Sequence, residues 1–487
     1  MSEPIRQLEP FSIWNNFANL NAIPRPSKKE DKIIRFMLDF GDSLGLETFR
    51  DRIGNVIIIK PATRGMEDRK TVTLQSHLDM VHQKNADINF DFNRQGIQMF
   101  VDGDWVRAKG TTLGADNGIG VATIMALMES TDIPHPRLEA LFTIDEETGM
   151  TGAMALEGGV LQGEILLNLD TEEDDEIDIG CAGGIDVTAT RGYNEKPVPR
   201  GVTAYKIEVN GLQGGHSGMD IHRGLGNANK IMNRLLYHSS EQYHTRISEI
   251  EGGGLRNAIP RESFAKIVVD KSQAENFEIT FETMQRQIVK ELQINEPNLQ
   301  IRLHGLKTVP KKVMGLGAQE KLLKGIYAAH NGVYAMSAAI EGLTETSNNI
   351  ANVEVKNGQI QIGCLTRSSI DSAKMDLAYA LRATFELAGC KVVFQGNYPG
   401  WQPNPNSEIL KVLVKKYRSL FNEKPEVVAC HAGLECGILG QNYPDMDMIS
   451  YGPTIKGAHS PDERVSISSV GKFWSFTKEI LKDIPKK

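Results

Sequence analysis

The segment TVTLQSHLDMV (71–81) has the pattern of a buried strand that ends in a histidine and an aspartate. Comparable apolar runs follow at 138–147 (LEALFTIDEE) and 164–170 (EILLNLD), and IGVATIMALMES (119–130) has the spacing of a helix packed on one face. This alternation predicts an α/β fold, with a mixed, largely parallel sheet and helices on both of its faces. Ligands bind such sheets beyond the carboxyl ends of the strands, so the residues after each strand are candidates for function.

The pattern changes near residue 184 and changes back near residue 398. Between these points, alternating strands and polar helices lack the continuous apolar runs of the first part. This texture predicts an α+β domain built on its own sheet. We therefore expect a split domain, residues 1–184 and 398–487, interrupted by an inserted domain, residues 185–397.

The overall composition disfavours several classes of protein. The chain has 487 residues, with 54 Lys and Arg against 62 Asp and Glu and a formal net charge of −8 at pH 7. We expect no nucleic-acid partner, because binding to phosphates needs clustered positive charge. No apolar run approaches the ~18 residues that cross a membrane, and the N-terminus shows no secretory signal. Five cysteines without a CxxC pair do not form a disulfide framework, so a cytoplasmic protein is expected.

Seven acidic and histidine residues fall where an open α/β sheet presents side chains to a crevice. They lie directly after predicted strands or in glycine-bounded loops: His77, Asp79, Asp116, Glu146, Glu147, Asp170 and His459. Each one alone has an ordinary explanation, such as a helix cap at Asp116 or a solvated acidic pair at Glu146 and Glu147. Their occurrence together, in this order, favours a metal site.

These residue types fit two zinc ions. Zinc binds histidine nitrogen and carboxylate oxygen, and a catalytic zinc site keeps a position for water. Two ions ~3.5–4 Å apart stabilise the attacking and developing oxygens of a hydrolysis. Because neighbouring residues at a strand end point to opposite sides, one of Glu146 and Glu147 can bind metal while the other acts as a base. Ligand type does not distinguish zinc from cobalt or manganese.

Other catalytic patterns are missing from the sequence. The loop GADNGIG (114–120) does not continue into G-x-G-x-x-G, because Thr123 occupies the last position. There is no P-loop and no H-E-x-x-H, and GGHSG (214–218) does not satisfy the G-x-S-x-G pattern of serine hydrolases. A dinucleotide enzyme, a helix-borne zinc peptidase and a serine hydrolase are therefore disfavoured.

Ten motifs follow one another along nearly the whole chain. They are SHLDM (76–80), GTTLGADNGIG (110–120), DEETGMTGA (145–153), LNLDTEE (167–173), CAGGID (181–186), GLQGGHSGMDIHRGLGNANK (211–230), RNAIPRE (256–262), YPGWQP (398–403), HAGLECG (431–437) and GPTIKGAHSPDE (452–463). Together they resemble the aminoacyl-histidine dipeptidases, also called Xaa-His dipeptidases or bacterial carnosinases. These belong to the di-zinc peptidase family that includes animal carnosinases and peptidase T.

The resemblance implies a role for each candidate metal ligand. Asp116 would bridge two zinc ions, with His77 and Asp170 completing one site. Glu147 and His459 would complete the other. In this family the peptide bond after the bridging aspartate is often cis.

The resemblance also implies a hydrolytic mechanism. Glu146 would be the general base that takes a proton from a metal-bridging water and returns it to the leaving amine. Asp79 would hydrogen-bond to the ring of His77 and fix its tautomer, as carboxylates behind metal-binding histidines do.

The inserted domain resembles the family's lid and dimerisation domain, which implies a homodimer. His216 would polarise the scissile carbonyl or its oxyanion. Asn257 and Arg367 would bind the substrate's C-terminal carboxylate, which suits the bidentate guanidinium of arginine, and Gly433 would add a backbone N–H. One departure from the expected pattern is Asn348, which stands where a leucine-like residue is expected.

The sequence thus predicts a cytoplasmic zinc dipeptidase that hydrolyses unblocked dipeptides, preferentially Xaa-His and including carnosine-like substrates. The histidine preference rests on the resemblance alone. A related amidohydrolase, either an N-acyl amino acid deacylase or a tripeptidase, is the first alternative. A metal-dependent interaction protein without turnover is the second, although such a protein needs no spare base like Glu146.

Overall fold

A computed structural model describes residues 3–487 of the chain. It divides them into two compact units. The first comprises the chain up to Gly180, together with Pro403–Ala429 and Leu434–Lys487, and the second comprises Cys181–Gln402 and Cys430–Gly433. The sequence predicted boundaries at 184/185 and 397/398 and did not anticipate that Cys430–Gly433 belongs with the second unit.

The first unit is built on an eight-stranded mixed sheet. Its four central strands run parallel to one another: Leu138–Thr143, Val72–His77, Ile165–Asn168 and Asp447–Ser450. Every residue of the first two is buried, as expected for parallel strands that are covered on both faces. The flanking strands are Glu47–Arg50 and Val56–Lys60 on one side and Glu176–Cys181 and Glu426–Cys430 on the other.

The mixed α/β class predicted from the sequence is confirmed, and antiparallel pairs flank the four parallel strands. On one side, Val56–Lys60 pairs antiparallel with Leu138–Thr143 and with Glu47–Arg50. On the other side, Asp447–Ser450 pairs antiparallel with Glu176–Cys181. A separate four-stranded sheet contains Met99–Asp102, Trp105–Ala108, Ile455–Lys456 and Arg464–Ser466.

The helix Ala115–Glu129 of the first unit is almost completely buried. All its residues from 117 to 128 are buried, which explains why its sequence is apolar on every face. Its N-terminal turn carries Asp116, whose peptide bond to Asn117 is cis, as the resemblance implies. The other helices of this unit are Glu3–Arg6, Phe11–Asn21, Asp31–Ser43, Glu146–Gly149, Thr151–Ala155, Glu408–Phe421, Glu435–Asn442 and Ile467–Lys482.

The second unit has its own nine-stranded sheet, and its pairings are antiparallel. Its strands are Gly183–Gly192, Val202–Asn210, Arg246–Gly253, Ser263–Asp270, Gln300–Gly305, Gly332–Met336, Thr344–Lys356, Gln359–Ser368 and Lys391–Tyr398. Apolar residues of this sheet share one core with the helices Ala228–Tyr243, Ala274–Leu292, Leu316–Ala328 and Asp371–Leu387.

Short elements complete the second unit. They are the paired strands Glu195–Pro197 and Lys312–Met314, the paired strands Gly215–His216 and Ala258–Ile259, and the 3-10 turns Ile221–Arg223 and Lys271–Gln273. Its separate antiparallel sheet and packed helices give the α+β architecture that the sequence predicted. In residues 3–487, no helix combines the length and the apolar character needed to cross a bilayer.

Candidate active site

Candidate ligands converge at the carboxyl ends of the central strands of the first unit. His77 is the last residue of Val72–His77, and Asp170 follows Ile165–Asn168 after one intervening residue. Asp116 lies in the first turn of Ala115–Glu129. His459 lies in the loop after Ile455–Lys456 and has a positive φ of 63°.

Asp116 links two groups of donor atoms. His77 Nε2 lies 3.0 Å from Asp116 Oδ1 and 3.5 Å from Asp170 Oδ1. His459 Nε2 lies 3.1 Å from Asp116 Oδ2 and 3.0 Å from Glu147 Oε2. The ligand atoms of each triad lie within 4.8 Å of one another. One oxygen of Asp116 therefore faces His77 and the other faces His459, which is the arrangement expected of a carboxylate that bridges two ions.

The chemistry of this donor set fits divalent metal ions. All five groups are imidazoles or carboxylates, the ligand types that zinc prefers in catalytic sites. Oε1 of Glu147 is buried and has no hydrogen-bond partner among the residues that the structure describes. Because a buried, unsatisfied carboxylate oxygen is costly, a cation at this position would stabilise the site.

The titration of the cluster reflects its concentrated negative charge. Burial alone would lower the pKa of His77, but Asp170 and Asp116 outweigh it and raise that pKa well above its usual value. Hydrogen bonds to Asp116 and Glu147 likewise raise the pKa of the half-exposed His459. Burial opposes ionisation of Asp116, yet the two histidines lower its pKa overall. Metal ions would take the place of these protons, so binding them would release protons.

Asp79 connects His77 to the acidic turn that follows the next strand. It is fully buried, and its Oδ1 lies 3.4 Å from His77 Nδ1. Its carboxylate also accepts hydrogen bonds from the backbone N–H groups of Glu146 (3.0 Å) and Glu147 (3.3 Å) and from Ser27 Oγ (2.8 Å). The carboxylate thus holds the backbone of both glutamates, and His77 Nδ1 also lies 3.2 Å from the backbone carbonyl oxygen of Asp79, which helps to orient the ring.

The expected backbone at Glu146 and Glu147 is wrong. The strand ends at Thr143, Asp145 adopts a positive φ of 55°, and Glu146–Gly149 forms a helical turn. Helical geometry, rather than strand alternation, therefore separates the two carboxylates. Glu146 still lies beside the candidate ligands, because the possible donor atoms of His77, Glu146 and Glu147 fall within 4.8 Å of one another.

The environment of Glu146 suits a proton-transfer group. Burial raises its pKa well above the usual value, and the neighbouring carboxylates Asp170, Glu435 and Glu147 raise it further. A raised pKa brings a carboxyl group closer to the operating pH, where a general base or acid is most effective.

In the second unit, His216 and Arg367 present hydrogen-bond donors to each other. His216 Nδ1 accepts hydrogen bonds from the backbone N–H groups of Gly218 (3.3 Å) and Met219 (3.0 Å), which assigns the proton of a neutral ring to Nε2. Burial and the Arg367 charge lower the pKa of His216 to about 4, so the ring is neutral at pH 7. Nε2 lies 3.4 Å from Arg367 Nη2. Two N–H groups that face each other favour an anionic oxygen as their shared acceptor.

Arg367 is held in place but not fully satisfied. Its Nη1 donates to Tyr398 Oη at 2.8 Å. The side chain is buried, and its Nε has no hydrogen-bond partner among residues 3–487. The guanidinium therefore keeps donor capacity for a further group.

Asn257 and Gly433 also belong to the second unit. The carbonyl of Asn257 accepts a hydrogen bond from the backbone N–H of Ser217 at 2.7 Å, which links it to the residue after His216. Asn349 Nδ2 donates to the carbonyls of the flanking residues 256 (3.2 Å) and 258 (2.8 Å). Gly433 ends the segment Cys430–Gly433.

Asn348, the departure from the expected leucine-like residue, is fully buried and hydrogen-bonded. Its Nδ2 donates to the carbonyl of His330 at 2.7 Å, and its Oδ1 accepts from Thr366 Oγ1 at 3.0 Å. The amide thus replaces apolar packing with two hydrogen bonds inside the sheet.

Sequence reasoning missed a row of buried, hydrogen-bonded polar side chains on the strands that carry the candidate ligands. Glu435 accepts hydrogen bonds from Gln75 Nε2 (2.6 Å) and Thr143 Oγ1 (2.7 Å), and Asn168 joins the row by donating to Gln75 Oε1 at 2.5 Å. Ser450 Oγ in turn donates to Asn168. Burial raises the pKa of Glu435 to about 7. Glu435 lies in the motif HAGLECG (431–437), but a single glutamate there carries no sequence signal for this role.

Comparisons with known proteins place the chain in a family. Residues 73–483 match the sequence model described as "Peptidase family M20/M25/M40". The chain therefore belongs to this peptidase family and is a peptide-bond hydrolase.

Two relatives resemble the whole chain. The cytosol non-specific dipeptidase of Escherichia coli (strain K12) is 44% identical over 487 residues, and the match covers 100% of both chains. The crystal structure of aminoacylhistidine dipeptidase from Vibrio alginolyticus superposes with a TM-score of 0.93 at 42% identity, again covering 100% of both chains. The resemblance inferred from the motifs is thereby confirmed.

A more distant structure shares the fold alone. Aminopeptidase PepT from Bacillus cereus superposes with a TM-score of 0.58 at 15% identity, covering 98% of this chain and 99% of its own.

Proposed function

We propose that this protein is a metal-dependent dipeptidase that hydrolyses unblocked dipeptides. The observation that carries the proposal is the position of Asp116, whose two carboxylate oxygens face separate histidine–carboxylate pairs beside Glu146. The full-length similarity to two dipeptidases supports a dipeptide as the substrate.

The proposed cofactor is two Zn²⁺ per chain, with Co²⁺ or Mn²⁺ as possible substitutes. Asp116 would bridge them, His77 and Asp170 would complete one site, and Glu147 and His459 the other. When bound, such ions acidify an attacking water and stabilise negative charge that develops on the scissile carbonyl oxygen. Asp79 fixes the orientation of the His77 ring.

Glu146 handles the proton in the proposed reaction. Its carboxylate accepts a proton from the attacking water as the new C–O bond forms, and the protonated group then donates to the amide nitrogen as the C–N bond breaks. Its raised pKa supports this role, because the group must both accept and release a proton near neutral pH.

Residues of the second unit bind the substrate in this proposal. The Nε2–H of neutral His216 donates to the carbonyl oxygen that becomes negatively charged. Arg367 and Asn257 bind the C-terminal carboxylate, and the N–H of Gly433 adds a donor. Support comes from the paired donors of His216 and Arg367 and from the spare donor capacity of the buried guanidinium.

The finer features of the activity are also proposals. We infer a preference for Xaa-His dipeptides, including carnosine-like ones. One relative is named an aminoacylhistidine dipeptidase and the other a non-specific dipeptidase. A cytoplasmic location follows the name of the Escherichia coli relative. Pairing of two copies through the second unit rests on the resemblance alone.

The decisive experiment combines metal analysis with a substrate panel: Ala-His, Gly-His, β-Ala-His, Ala-Leu and acetyl-His. We expect two divalent ions per chain and cleavage of the free dipeptides, fastest for those ending in histidine. Equal rates for Ala-Leu and Ala-His would rule out the proposed preference for histidine. Cleavage of acetyl-His and of none of the free dipeptides would show that the protein is a deacylase and not a dipeptidase.

A further inference from the structure

The carboxylate of Glu463 accepts hydrogen bonds from the backbone of the loop that carries Asp116. Its Oε2 accepts from the N–H groups of Leu113 (2.6 Å) and Gly114 (2.9 Å). Its Oε1 accepts from those of Ala115 (2.7 Å) and Asp116 (3.3 Å). Four consecutive N–H groups thus converge on one carboxylate.

This arrangement uses the full acceptor capacity of the two carboxyl oxygens. A carboxylate offers about four lone-pair sites on its two oxygens, and each oxygen of Glu463 accepts two hydrogen bonds. Glu463 is 2% exposed, so little water competes for these sites. An amide in its place would offer one acceptor oxygen and would turn an NH₂ group toward two N–H donors.

Glu463 also anchors the loop that carries His459. Its backbone N–H donates to the carbonyl of Ser460 at 3.1 Å, and Ser460 Oγ donates to the carbonyl of Gly457 at 2.7 Å. His459 lies inside this tight turn. One residue therefore joins the two loops whose side chains, Asp116 and His459, approach to 3.1 Å.

Arg25 holds the same loop through its carbonyl oxygen. Its Nη2 donates to the carbonyl of Gly114 at 2.6 Å, and its Nη1 donates to the carbonyls of Leu78 and Asp79 at 3.0 Å each. Gly114 has a φ of 70°, and an added Cβ would lie 2.6 Å from Nη2, so both the backbone and the contact require glycine. The loop is fixed at its N–H groups by Glu463 and at its carbonyl by Arg25.

We infer that Glu463 is a positioning residue that sets Asp116 and His459 in ligand geometry before any metal ion binds. The inference rests on the proposed metal site. It goes beyond the ligand set because it assigns the preorganisation of that site to a residue that donates no atom to the ions. Preorganised ligands bind more tightly, since less conformational freedom is lost on binding.

The first test compares Glu463→Gln with Glu139→Gln. Glu139 is a matched control because it is similarly buried and accepts hydrogen bonds from the N–H groups of Gln162 and Gly163. It lies near the start of the strand Leu138–Thr143, whereas the candidate ligands lie at the carboxyl ends of the strands. We expect Glu463→Gln to weaken zinc binding in a chelator competition by about 10- to 100-fold, as loss of residues behind metal ligands does. The d–d spectrum of the cobalt-loaded variant should also change. Glu139→Gln should leave both readouts unchanged.

Wild-type metal affinity and an unaltered cobalt spectrum in Glu463→Gln would overturn the role of Glu463 while leaving the proposed function intact. Equal weakening in both variants would also overturn it, since the effect would then be general destabilisation. A wild-type protein that binds no metal would instead overturn the proposed function and the inference together.

A second test uses the wild-type chain and does not depend on folding of a variant. Hydrogen–deuterium exchange of the metal-free protein should show slow exchange at 113–116, comparable with the metal-loaded protein. The exposed turn at 102–104 should exchange fast in both forms. Fast exchange at 113–116 that slows only when metal is added would show that metal, not Glu463, orders the loop and would overturn the inference.

Discussion

Nε2 of His216 and Nη2 of Arg367 lie 3.4 Å apart, and each atom carries a proton. Two donors at this distance repel each other unless an acceptor satisfies both. A substrate that brings a carboxylate or a developing oxyanion removes this conflict, so the pair favours binding of an anionic group over a neutral one.

Replacing Arg367 with lysine should therefore weaken recognition of the free carboxylate. We expect Arg367→Lys to reduce kcat/KM for Ala-His by about 10- to 100-fold, because hydrogen bonds to charged groups contribute about 1.5–3 kcal/mol and lysine loses the two-pronged geometry. Arg382→Lys is a suitable control, since Arg382 stacks on Phe394 in the same unit. The measurement is kcat/KM for Ala-His and for its C-terminal amide. An equal loss on both substrates would contradict the carboxylate role.

Glu146→Gln should keep its metal ions and lose its turnover. The amide cannot accept the proton of the attacking water, and general acid–base catalysis typically contributes 10²–10⁴-fold, so kcat should fall by about that factor. Metal content by atomic emission and kcat for Ala-His are the two measurements. The exposed Glu157, changed to Gln, serves as the control and should retain wild-type kcat. Unchanged turnover in Glu146→Gln would exclude it as the base.

Buried His431 should make the second unit less stable in acid. Burial, with Arg367 and His216 nearby, lowers the pKa of His431 to about 3, below the ~6.5 of an unfolded histidine. Between these values the unfolded chain binds more protons, so the stabilisation is complete above about pH 6.5 and is lost as pH falls toward 3. Thermal unfolding at pH 7 and pH 4.5 should show a smaller difference in Tm for His431→Asn than for the wild type. An identical pH dependence would refute this assignment.

Removing the Glu435 carboxylate should destabilise the first unit. Glu435→Ala removes the acceptor at 2.6–2.7 Å from Gln75 Nε2 and Thr143 Oγ1 in a buried position. Gln75 Nε2 keeps a longer hydrogen bond to Thr143 Oγ1 at 3.1 Å, so we expect a cost of about 1–3 kcal/mol in total. Urea unfolding of the metal-loaded protein measures the change. Glu408→Ala, which removes an exposed ion pair with Lys70, is the control and should cost little. Equal midpoints for the two variants would show that the polar row does not stabilise the unit.

The sequence could predict which acids and histidines gather at the sheet, because the strands that present them are recognisable. His77 and Asp170 follow apolar runs that end abruptly, and strands of this kind align their carboxyl ends. The structure brings these residues together with Asp116, Glu147 and His459, while their roles as ligands stay predictions. The helical turn at Glu146 was not predictable, since a positive φ at the preceding Asp145 has no reliable sequence signal.

Other features depend on contacts between distant parts of the chain. Glu463 reaches the backbone of residues about 350 positions earlier, and backbone N–H groups leave no trace in side-chain patterns. The sequence predicted a mixed sheet but did not show which strands pair antiparallel, because apolar runs predict burial and not the direction of a neighbouring strand. The membership of Cys430–Gly433 in the second unit also depends on tertiary contacts alone.

The membership of Cys430–Gly433 in the second unit determines which fragments of the chain can be expected to fold separately. Cutting out Cys181–Gln402 as a separate polypeptide would leave behind His431, whose ring lies 2.8 Å from Ser347 Oγ, and the carbonyls of Cys430 and Ala432 that accept the N–H of Ala182. The second unit is therefore not a single continuous insertion with one junction before Cys181 and one after Gln402. Recombination between relatives at those junctions would separate residues that fold together, so functional chimaeras need the short segment 430–433 to come from the same parent as 181–402.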